Sequence, residues 1–261
     1  MRICTLASSS SGNCTIVSND NIHLLLDTGI SLRRIRDGLR SFSLSPGDLS
    51  GVLITHSHVD HISGLSMLLK YHKVPVFCSY GTGCGIISGC PEAAPFLNIF
   101  DVGSEFDLGG LIVSSFSTLH DAADSVGFTL SANGVKLAYV TDLGCVTDEV
   151  VEASLGANIA IIEANHDEEM LRRGSYPPFL KRRILSARGH LANSDCARLA
   201  IKLAGSNMHF AQLSHLSLEN NTPDLAWATV HDALESAGFK TGVDFELDVA
   251  PHGAMSRVYD I

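Results

Sequence analysis

The feature that most constrains the fold is the stretch at residues 52–66, where an apolar run is followed directly by His-Ser-His-Val-Asp-His. Residues 52–55 have the composition of a buried strand, and residues 62–71 carry apolar side chains at helical spacing. The polar cluster at residues 56–61 is therefore predicted to lie on the turn between a strand and a helix. Three imidazoles and one carboxylate in six positions are typical of a metal site.

The four ligand-type side chains of this cluster divide into two pairs. His56 and His58 are two residues apart at a strand end, where alternate side chains point to the same side. Asp60 and His61 follow at the start of the predicted helix and are expected to serve a second ion. The alternative interpretation is a polar, solvated turn. Zinc, manganese and iron all suit this donor set, so the sequence does not distinguish among them.

Composition indicates a globular chain and limits its partners. With 261 residues, 45% hydrophobic and 18% charged, the chain is long enough to bury a large core, and we predict a single domain over residues 1–261. No apolar run approaches membrane-spanning length and no signal peptide is recognisable, so we predict no membrane partner and a cytoplasmic location. Seven cysteines in unpaired spacings predict reduced thiols. The formal net charge of −10 argues against a polyanionic partner.

Periodicity and turn residues predict the order of the elements. Strands are expected at residues 2–6, 15–18, 23–27, 75–79, 158–164, 208–213 and 245–250, with further short strands over 98–117. Helices are expected at residues 31–40, 81–88, 147–154, 193–204 and 224–237, with Asn193 or Ser194 as the N-cap of the fourth and a loop at 90–95. Asn133-Gly134 predicts a hairpin between strands at 126–131 and 135–140. Both halves of the chain contain strands followed by helices, which predicts two β-sheets face to face with helices outside.

Ligand-type residues recur at the ends of four predicted strands. They are the His56/His58 pair, His120, Asp142 and His215. A single histidine after a strand is more often a satisfied polar residue, but four such strand ends are hard to explain by chance. At these positions the chain resembles the metallo-β-lactamase superfamily, whose signature is His-x-His-x-Asp-His after a strand, then a lone His, a lone Asp and a last His. The resemblance covers essentially the whole chain and implies an α/β fold, the four-layer αβ/βα sandwich with two mixed β-sheets.

The resemblance also implies a dinuclear metal site. The ligands it implies are His56, His58 and His120 for one metal, and Asp60, His61 and His215 for the other, with Asp142 bridging both. Two-metal hydrolases lower the pKa of a bridging water and stabilise the developing oxyanion. Asp60 and Asp142 would hold and orient the attacking hydroxide. A bridging aspartate is typical of the superfamily's phosphodiesterases and glyoxalase-like members, and no residue supports antibiotic hydrolysis.

Narrower matches point to one branch of the superfamily. They are the strings at residues 8–14, 163–167, 179–185, 189–191 with Asn193, 213–216 and 219–221. As a set these strings resemble the YycJ/WalJ branch, which is associated with 5′-to-3′ DNA exonuclease activity, whereas no single string is specific. The direction of cleavage rests on this resemblance alone.

A basic segment lies between two of the candidate site segments. Residues 171–190 contain six of the eighteen basic residues of the chain. This segment is expected either to follow a phosphate backbone or to form an ordinary solvated surface. A basic segment that follows DNA would offset the net negative charge of the chain locally. Two divalent metals would in addition cancel negative charge at the scissile phosphate, so the net charge need not exclude DNA.

The remaining candidates are substrate-binding residues. They are Ser10, Asn165, His166, Arg182, Arg183, Arg188 and His190. Ser10 belongs to a serine-glycine loop whose small residues and amides suit a phosphate, although ordinary turn chemistry explains the loop as well. His190 and His166 are candidates to protonate the leaving 3′-oxygen or to hold the phosphate, against the alternatives of helix capping and of orienting a metal ligand.

We therefore predict a metal-dependent hydrolase of phosphodiester bonds, a DNA 5′-3′ exonuclease, with a hydroxide bridging two divalent ions that are zinc or manganese, iron being possible. His190 joins Asp60 and Asp142 as a predicted catalytic residue. One alternative is a dinuclear hydrolase of a small ester, lactone, thioester or cyclic phosphodiester. A second alternative is a non-catalytic metal-binding regulatory protein. The oligomeric state does not follow from the sequence.

Overall fold

A computed structural model describes residues 1–261, in which fourteen strands and nine α-helices form the regular structure. The strands are β1 (Arg2–Ala7), β2 (Cys14–Asn19), β3 (Ile22–Leu26), β4 (Gly51–Leu53), β5 (Val76–Ser79), β6 (Leu97–Phe100), β7 (Glu105–Leu108), β8 (Leu111–Ser117), β9 (Val126–Ala132), β10 (Val135–Val140), β11 (Ile159–Glu163), β12 (Phe210–Ser214), β13 (Glu246–Val249) and β14 (Tyr259–Asp260). The helices are α1 (Leu32–Arg40), α2 (Val59–Ile62), α3 (Leu65–Tyr71), α4 (Tyr80–Gly89), α5 (Asp148–Ser154), α6 (Glu168–Arg173), α7 (Pro178–Ile184), α8 (Asn193–Ala204) and α9 (Pro223–Ser236). None of these helices is both long and apolar enough to cross a bilayer.

The strands form two mixed sheets of seven strands each. The first sheet has the order β14-β1-β2-β3-β4-β5-β6, and the second has the order β13-β12-β11-β10-β9-β8-β7. By its internal contacts the chain divides into two compact units, which we call the first unit (residues 1–115, 122–126 and 251–261) and the second unit (residues 116–121 and 127–250). The single domain over residues 1–261 stays a prediction.

The first unit has its own core around the first sheet. Strands β1 to β3 are antiparallel neighbours, and β3, β4, β5 and β6 run parallel. The short strand β4 is buried along its whole length, as is expected of a strand inside a parallel sheet. Helix α1 contributes Ile35 and Leu39 to the core of this unit. Because β3 and β4 are parallel neighbours, the segments that follow them emerge at the same edge of the sheet.

The second unit also has its own core, to which α8 and α9 contribute apolar side chains such as Leu199 and Val230. Strands β9 and β10 form the predicted hairpin, with Asn133 at φ 52° and Gly134 at φ 79° in the turn, as a type I′ turn requires. Strands β10, β11, β12 and β13 then run parallel to one another. Ligands of α/β proteins bind at the carboxyl ends of such strands, and here these ends carry residues 141–142, 163 and 215.

Most predicted elements are present, and four details of the prediction are wrong. The segment predicted as a loop at 90–95 is a 3₁₀-helix, Pro91–Phe96, which buries Ala93. The N-cap of α8 is Ala192 rather than Asn193 or Ser194, because the Asn193 amide is buried in a hydrogen bond with Asn221. The predicted helix over 62–71 begins earlier and divides into α2 and α3 at residues 63–64. Strand β14, which pairs with β1, was not predicted.

Candidate metal centre

The first-unit ligand set consists of four side chains from the single turn after β4. His58 is the N-cap of α2, and Asp60 and His61 lie within that helix. The ring centroids of His56 and His58 are 4.6 Å apart, and those of His56 and His61 are 4.1 Å apart. One oxygen of Asp60 lies 3.5 Å from Nε2 of His61. The structure thus brings together the four residues that their sequence spacing grouped.

Asp27 supports this turn from the end of β3. Its carboxylate is fully buried, lies 2.8 Å from Nδ1 of His61, and accepts hydrogen bonds from the backbone and the hydroxyl of Thr55. Burial raises the pKa of Asp27, and the neighbouring His61 opposes that rise. A carboxylate that accepts a hydrogen bond from the Nδ1–H group fixes the tautomer in which Nε2 carries the lone pair. Metal-binding histidines are usually supported in this way.

The serine-glycine loop between β1 and β2 contacts the same turn through Asn13. The Asn13 side-chain nitrogen lies 3.0 Å from Nε2 of His61 and 3.3 Å from a carboxylate oxygen of Asp60, and its backbone N–H donates to the Asp60 carbonyl. Gly29 makes this approach possible, because a Cβ there would overlap the Asp60 carbonyl oxygen. Ser10 is exposed at the tip of the loop. The loop is therefore fastened to the ligand turn by Asn13, while Ser10 faces solvent.

The second-unit ligand set comes from the ends of adjacent parallel strands. Asp142 follows β10, Glu163 ends β11, and His215 follows β12. Donor atoms of these residues and of His190 all lie within 4.8 Å of one another. Asp142 lies 3.6 Å from both His190 and His215. Asp142 and His215 have φ values of 56° and 57°, a conformation uncommon for residues other than glycine and typical of functional sites.

Glu163 joins the two histidines of this set. Its Oε1 atom lies 2.7 Å from Nδ1 of His190 and 3.0 Å from Nδ1 of His215, and its Oε2 atom accepts the Leu143 backbone N–H. Burial raises the pKa of Glu163, but the charge of His190 and the hydrogen bonds from both histidines outweigh burial and lower that pKa to about 2. Glu163 therefore remains an anion that orients both imidazoles.

His120 is held by a segment we call the brace, residues 183–189. Nδ1 of His120 lies 3.0 Å from the Gly189 carbonyl oxygen, and Nε of Arg188 donates to the His120 carbonyl at 3.0 Å. Arg183 donates to the carboxylate of Asp121 at 2.5 Å. Nε2 of His120 is 3.8 Å from Asp142, and burial lowers the pKa of His120. The brace thus fixes the position and tautomer of a predicted ligand that lies in a loop.

Much of the charge of the basic segment is neutralised locally. Arg172 pairs with Glu168, and Arg173 pairs with Glu169 one turn away on α6. Lys181 donates to the Arg172 carbonyl oxygen. Together with the Arg183 pair, these contacts leave Arg182 as the exposed cation of α7 that makes no hydrogen bond or ion pair. Arg183 and Arg188 are exposed, but each donates a hydrogen bond within the brace contacts, to Asp121 and to the His120 carbonyl.

Asn165 and His166 follow β11 and are both buried. The Asn165 amide donates to the His215 carbonyl at 2.9 Å, so this side chain supports His215. His166 is 1% exposed, and neither nitrogen of its ring has a hydrogen-bond partner within the protein. Burial lowers the pKa of His166 to about 4.

Four supporting residues had no predicted role in the site, one of which is Asn13, described above. Asp27 and Thr55 orient the first-unit histidines, and Glu163 orients those of the second unit. A sequence clue exists for both carboxylates, because each follows or ends an apolar strand in the same way as the predicted ligands do. A buried strand-end carboxylate is difficult to distinguish from a solvated one without knowing which strands are neighbours.

The donor chemistry of both sets fits a divalent cation. Each set combines imidazole nitrogens with carboxylate oxygens, and His61 and His215 each have Nδ1 occupied by a buried carboxylate. This arrangement presents Nε2 as the ligand atom, in the manner of known metal-binding histidines. Zinc, manganese and iron all accept such donors.

Comparisons with known proteins agree on one family. A family model described as Beta-lactamase superfamily domain matches residues 23–211. The chain is 39% identical over 245 residues to the exodeoxyribonuclease YycJ of Bacillus anthracis, covering 93% of this chain and 92% of that protein. It is 35% identical over 258 residues to the exodeoxyribonuclease WalJ of Streptococcus pneumoniae serotype 2, covering 95% and 94%. The crystal structure of the metallo-β-lactamase fold protein YhfI from Bacillus subtilis superposes with a TM-score of 0.71 at 14% identity, covering 98% and 99%.

Proposed function

We propose a function from the premise that this chain belongs to the β-lactamase superfamily, in the branch of the exodeoxyribonucleases YycJ and WalJ. Membership confirms the predicted fold class and makes the chain a metal-dependent hydrolase. We propose that it hydrolyses phosphodiester bonds in DNA from a strand end, in the 5′-to-3′ direction. The observation that carries the proposal is the identity of 39% across almost the full length of a protein with that named activity.

The proposal includes the metal ligands that the family pattern implies. His56, His58 and His120 would hold one divalent ion, and Asp60, His61 and His215 the other, with Asp142 shared. Two such ions, when bound, supply activation of water and stabilisation of the charge that develops on the phosphate. The support in each unit is local: His61 is oriented by Asp27, and His215 by Glu163. We propose zinc or manganese as the resident ions, with iron as the third choice.

His190 is proposed as the residue that gives a proton to the leaving 3′-oxygen. Glu163 holds its Nδ1 at 2.7 Å, so the ring has a fixed orientation, and the side chain is 17% exposed whereas those of His120 and His215 are 1% exposed. An oriented, accessible imidazole beside Asp142 is suited to general acid catalysis. Asp60 and Asp142 would orient the attacking water.

The contacts with substrate are proposed for fewer residues than the sequence suggested. Arg182 is proposed to contact a backbone phosphate because it is exposed, and Ser10 is proposed as a contact because it is exposed on its loop. Arg183 and Arg188 would act on catalysis through the His120 loop, and Asn165 through His215. A cytoplasmic location belongs to the same proposal, because the named exodeoxyribonucleases are bacterial proteins and bacterial DNA lies in the cytoplasm.

A second candidate function is hydrolysis of a small phosphodiester. The observation in its favour is the local pairing of Arg172, Arg173 and Arg183 with carboxylates, which halves the number of cations that the basic segment offers to a long polyanion. The net charge of −10 points the same way.

The experiment that tests the proposal is a time course on DNA labelled at its 3′ end and phosphorylated at its 5′ end, with protein loaded with manganese or zinc. Progressive shortening by the wild type and not by Asp60→Ala is expected, while a circular single strand should resist. Metal content measured by mass spectrometry accompanies each reaction. No cleavage of any DNA by protein with two metals per chain would contradict the proposal, and hydrolysis of bis(p-nitrophenyl) phosphate alone would favour the second candidate.

A further inference from the structure

The second unit contains a cavity of about 300 Å³ whose polar groups, His190 apart, take no part in the steps described above. We call it the His166 pocket; its lining includes His166, Glu168, Arg172, Leu185, His190 and Asp195. Its volume is at the lower end of the range for ligand pockets. His190 belongs both to this lining and to the cluster around Asp142, so the pocket borders the second-unit ligand set.

The His166 ring is the unusual feature of this pocket. Its backbone is fixed, because the His166 carbonyl accepts the Asn193 N–H and the residue forms a bridge with Ala192. Its ring is buried, yet neither nitrogen has a hydrogen-bond partner. Leaving two buried polar atoms without partners is unfavourable, so a native example calls for a partner such as an ordered water, an ion or a ligand. His166 is part of the lining of the pocket, so a ligand bound there would lie beside the ring.

The charges around the ring indicate what kind of ligand fits. Glu168 and Asp195 contribute two carboxylates. Glu168 pairs with the Arg172 guanidinium of the same lining and accepts a hydrogen bond from Ser194, and Asp195 pairs with Arg198. A phosphate group offers hydrogen-bond acceptors and negative charge, so it would face two carboxylates of its own sign. Burial keeps the His166 ring neutral, with one donor and one acceptor nitrogen. The pocket therefore suits a neutral planar group that both donates and accepts.

We propose that the His166 pocket binds the nucleobase of the terminal nucleotide of the DNA strand. The edge of a base carries donors and acceptors that match the two nitrogens of His166, the carboxylate of Glu168 and the guanidinium of Arg172. Enzymes that accept an unstacked base hold it in such a pocket by hydrogen bonds to its edge. This inference rests on the proposed nuclease function. The second unit would then bind the terminal base of the substrate in addition to the reacting phosphate.

The kinetic test compares an unmodified DNA strand with one whose terminal nucleotide is an abasic tetrahydrofuran residue. We expect the wild type to cleave the unmodified strand about tenfold faster in kcat/KM, since the abasic strand leaves the pocket groups without partners. His166→Phe should bring this ratio towards one, and His166→Gln, which keeps a donor and an acceptor, should retain part of it. The matched control is His209→Phe, at an exposed histidine of the same unit, which should keep the wild-type ratio.

A binding test is independent of turnover. The imidazole nitrogen resonances of His166, identified by their loss in His166→Phe, are followed by NMR in the metal-loaded protein during titration with each of the four deoxynucleosides and, separately, with inorganic phosphate. A shift with deoxynucleosides supports the proposal. A shift with phosphate alone would overturn it in favour of a terminal-phosphate site.

The two tests also separate failure of this inference from failure of the proposed function. Equal cleavage of abasic and unmodified strands by an active nuclease would overturn the base pocket and leave the nuclease intact. No cleavage of any DNA, with a deoxynucleoside-dependent shift of His166, would reject the nuclease and retain a nucleoside pocket. No response of His166 to any deoxynucleoside would overturn the base pocket whatever the activity.

Discussion

The two ligand sets are built in different ways. The first-unit set comes from one turn, in which four ligand-type residues lie within six positions of the sequence. The second-unit set comes from separate segments, with Asp142, Glu163 and His215 at the ends of three neighbouring parallel strands. A local set depends on the conformation of one turn, whereas a dispersed set depends on strand order. The first was therefore visible as a motif, and the second only as scattered residues.

In both sets a buried carboxylate contacts Nδ1 of a histidine, but the pKa of that carboxylate is shifted in opposite directions. Glu163 serves two histidines and has its pKa lowered to about 2, whereas Asp27 faces His61 and Thr55, and burial raises its pKa. At Glu163 the charge of His190 and the hydrogen bonds from both histidines outweigh burial, whereas at Asp27 burial outweighs His61 and Thr55. The second-unit carboxylate is thus held more firmly as an anion.

The largest effect is expected at the residue proposed to serve both metals. Asp142→Ala should lower kcat/KM on DNA by at least about 10³-fold, because loss of a group that stabilises developing charge has effects of that order. Its thermal melting should stay cooperative. Metal content and kcat/KM are measured together, with Asp124→Ala, which removes a carboxylate that caps α4 in the first unit, as the matched control. Unchanged activity in Asp142→Ala would reject the two-metal mechanism.

Replacing the supporting carboxylate should affect metal retention alone in the first unit, and both metal retention and kcat in the second unit. Asp27→Asn should weaken metal retention by about 10- to 100-fold, as for other groups that orient a metal-binding histidine. Glu163→Gln should weaken metal retention to a similar extent. It should also lower kcat in the metal-saturated form, because Glu163, unlike Asp27, orients His190. Chelator competition measures affinity, and turnover at saturating metal measures kcat. Equal kcat in both variants would mean that His190 is not the proton donor.

The free energy of unfolding should fall at acidic pH because of His166 in the second unit. Its pKa falls from 6.5 to about 4 on folding, so the unfolded chain binds this proton more readily. The contribution to stability is therefore full above pH 6.5 and is lost as pH falls towards 4, on the order of 3 kcal/mol. Urea unfolding of metal-free protein from pH 7 to 4.5 measures this slope. His166→Phe should reduce the dependence of the unfolding free energy on pH, and His209→Phe should not. An unchanged pH dependence in His166→Phe would exclude His166 as its source.

The smallest effects should separate two arginines of the basic segment. Arg182→Ala should weaken DNA binding uniformly and reduce the salt slope by about one, because one fewer phosphate contact releases one fewer counterion. Arg188→Ala should leave the salt slope unchanged and weaken retention of the metal bound by His120, because it donates to the His120 carbonyl. Salt titrations of DNA affinity and metal analysis distinguish the two. A reduced slope in Arg188→Ala would assign that residue to the DNA surface.

Local patterns predicted most elements to within a few residues. The hairpin at Asn133-Gly134, the buried strands and the helices α1, α5 and α9 each follow from turn chemistry or apolar spacing over a short window. The errors arise where distant contacts override local preference. The Asn193 amide, for example, bonds Asn221 instead of capping α8, and β14 exists because it pairs with β1 at the other end of the chain.

The sequence by itself determined the ligand turn at residues 56–61, the residue types at the other strand ends and the family, since all of these are local or recur in order along the chain. The tertiary structure decided which side chains support them. Asp27 meets His61 because β3 and β4 are parallel neighbours, and Glu163 meets His190 and His215 because β11 lies between β10 and β12. It also decided that Arg183 and Arg188 brace the His120 loop. The physical reason is that a hydrogen bond depends on distance in space, which strand order sets and sequence separation does not.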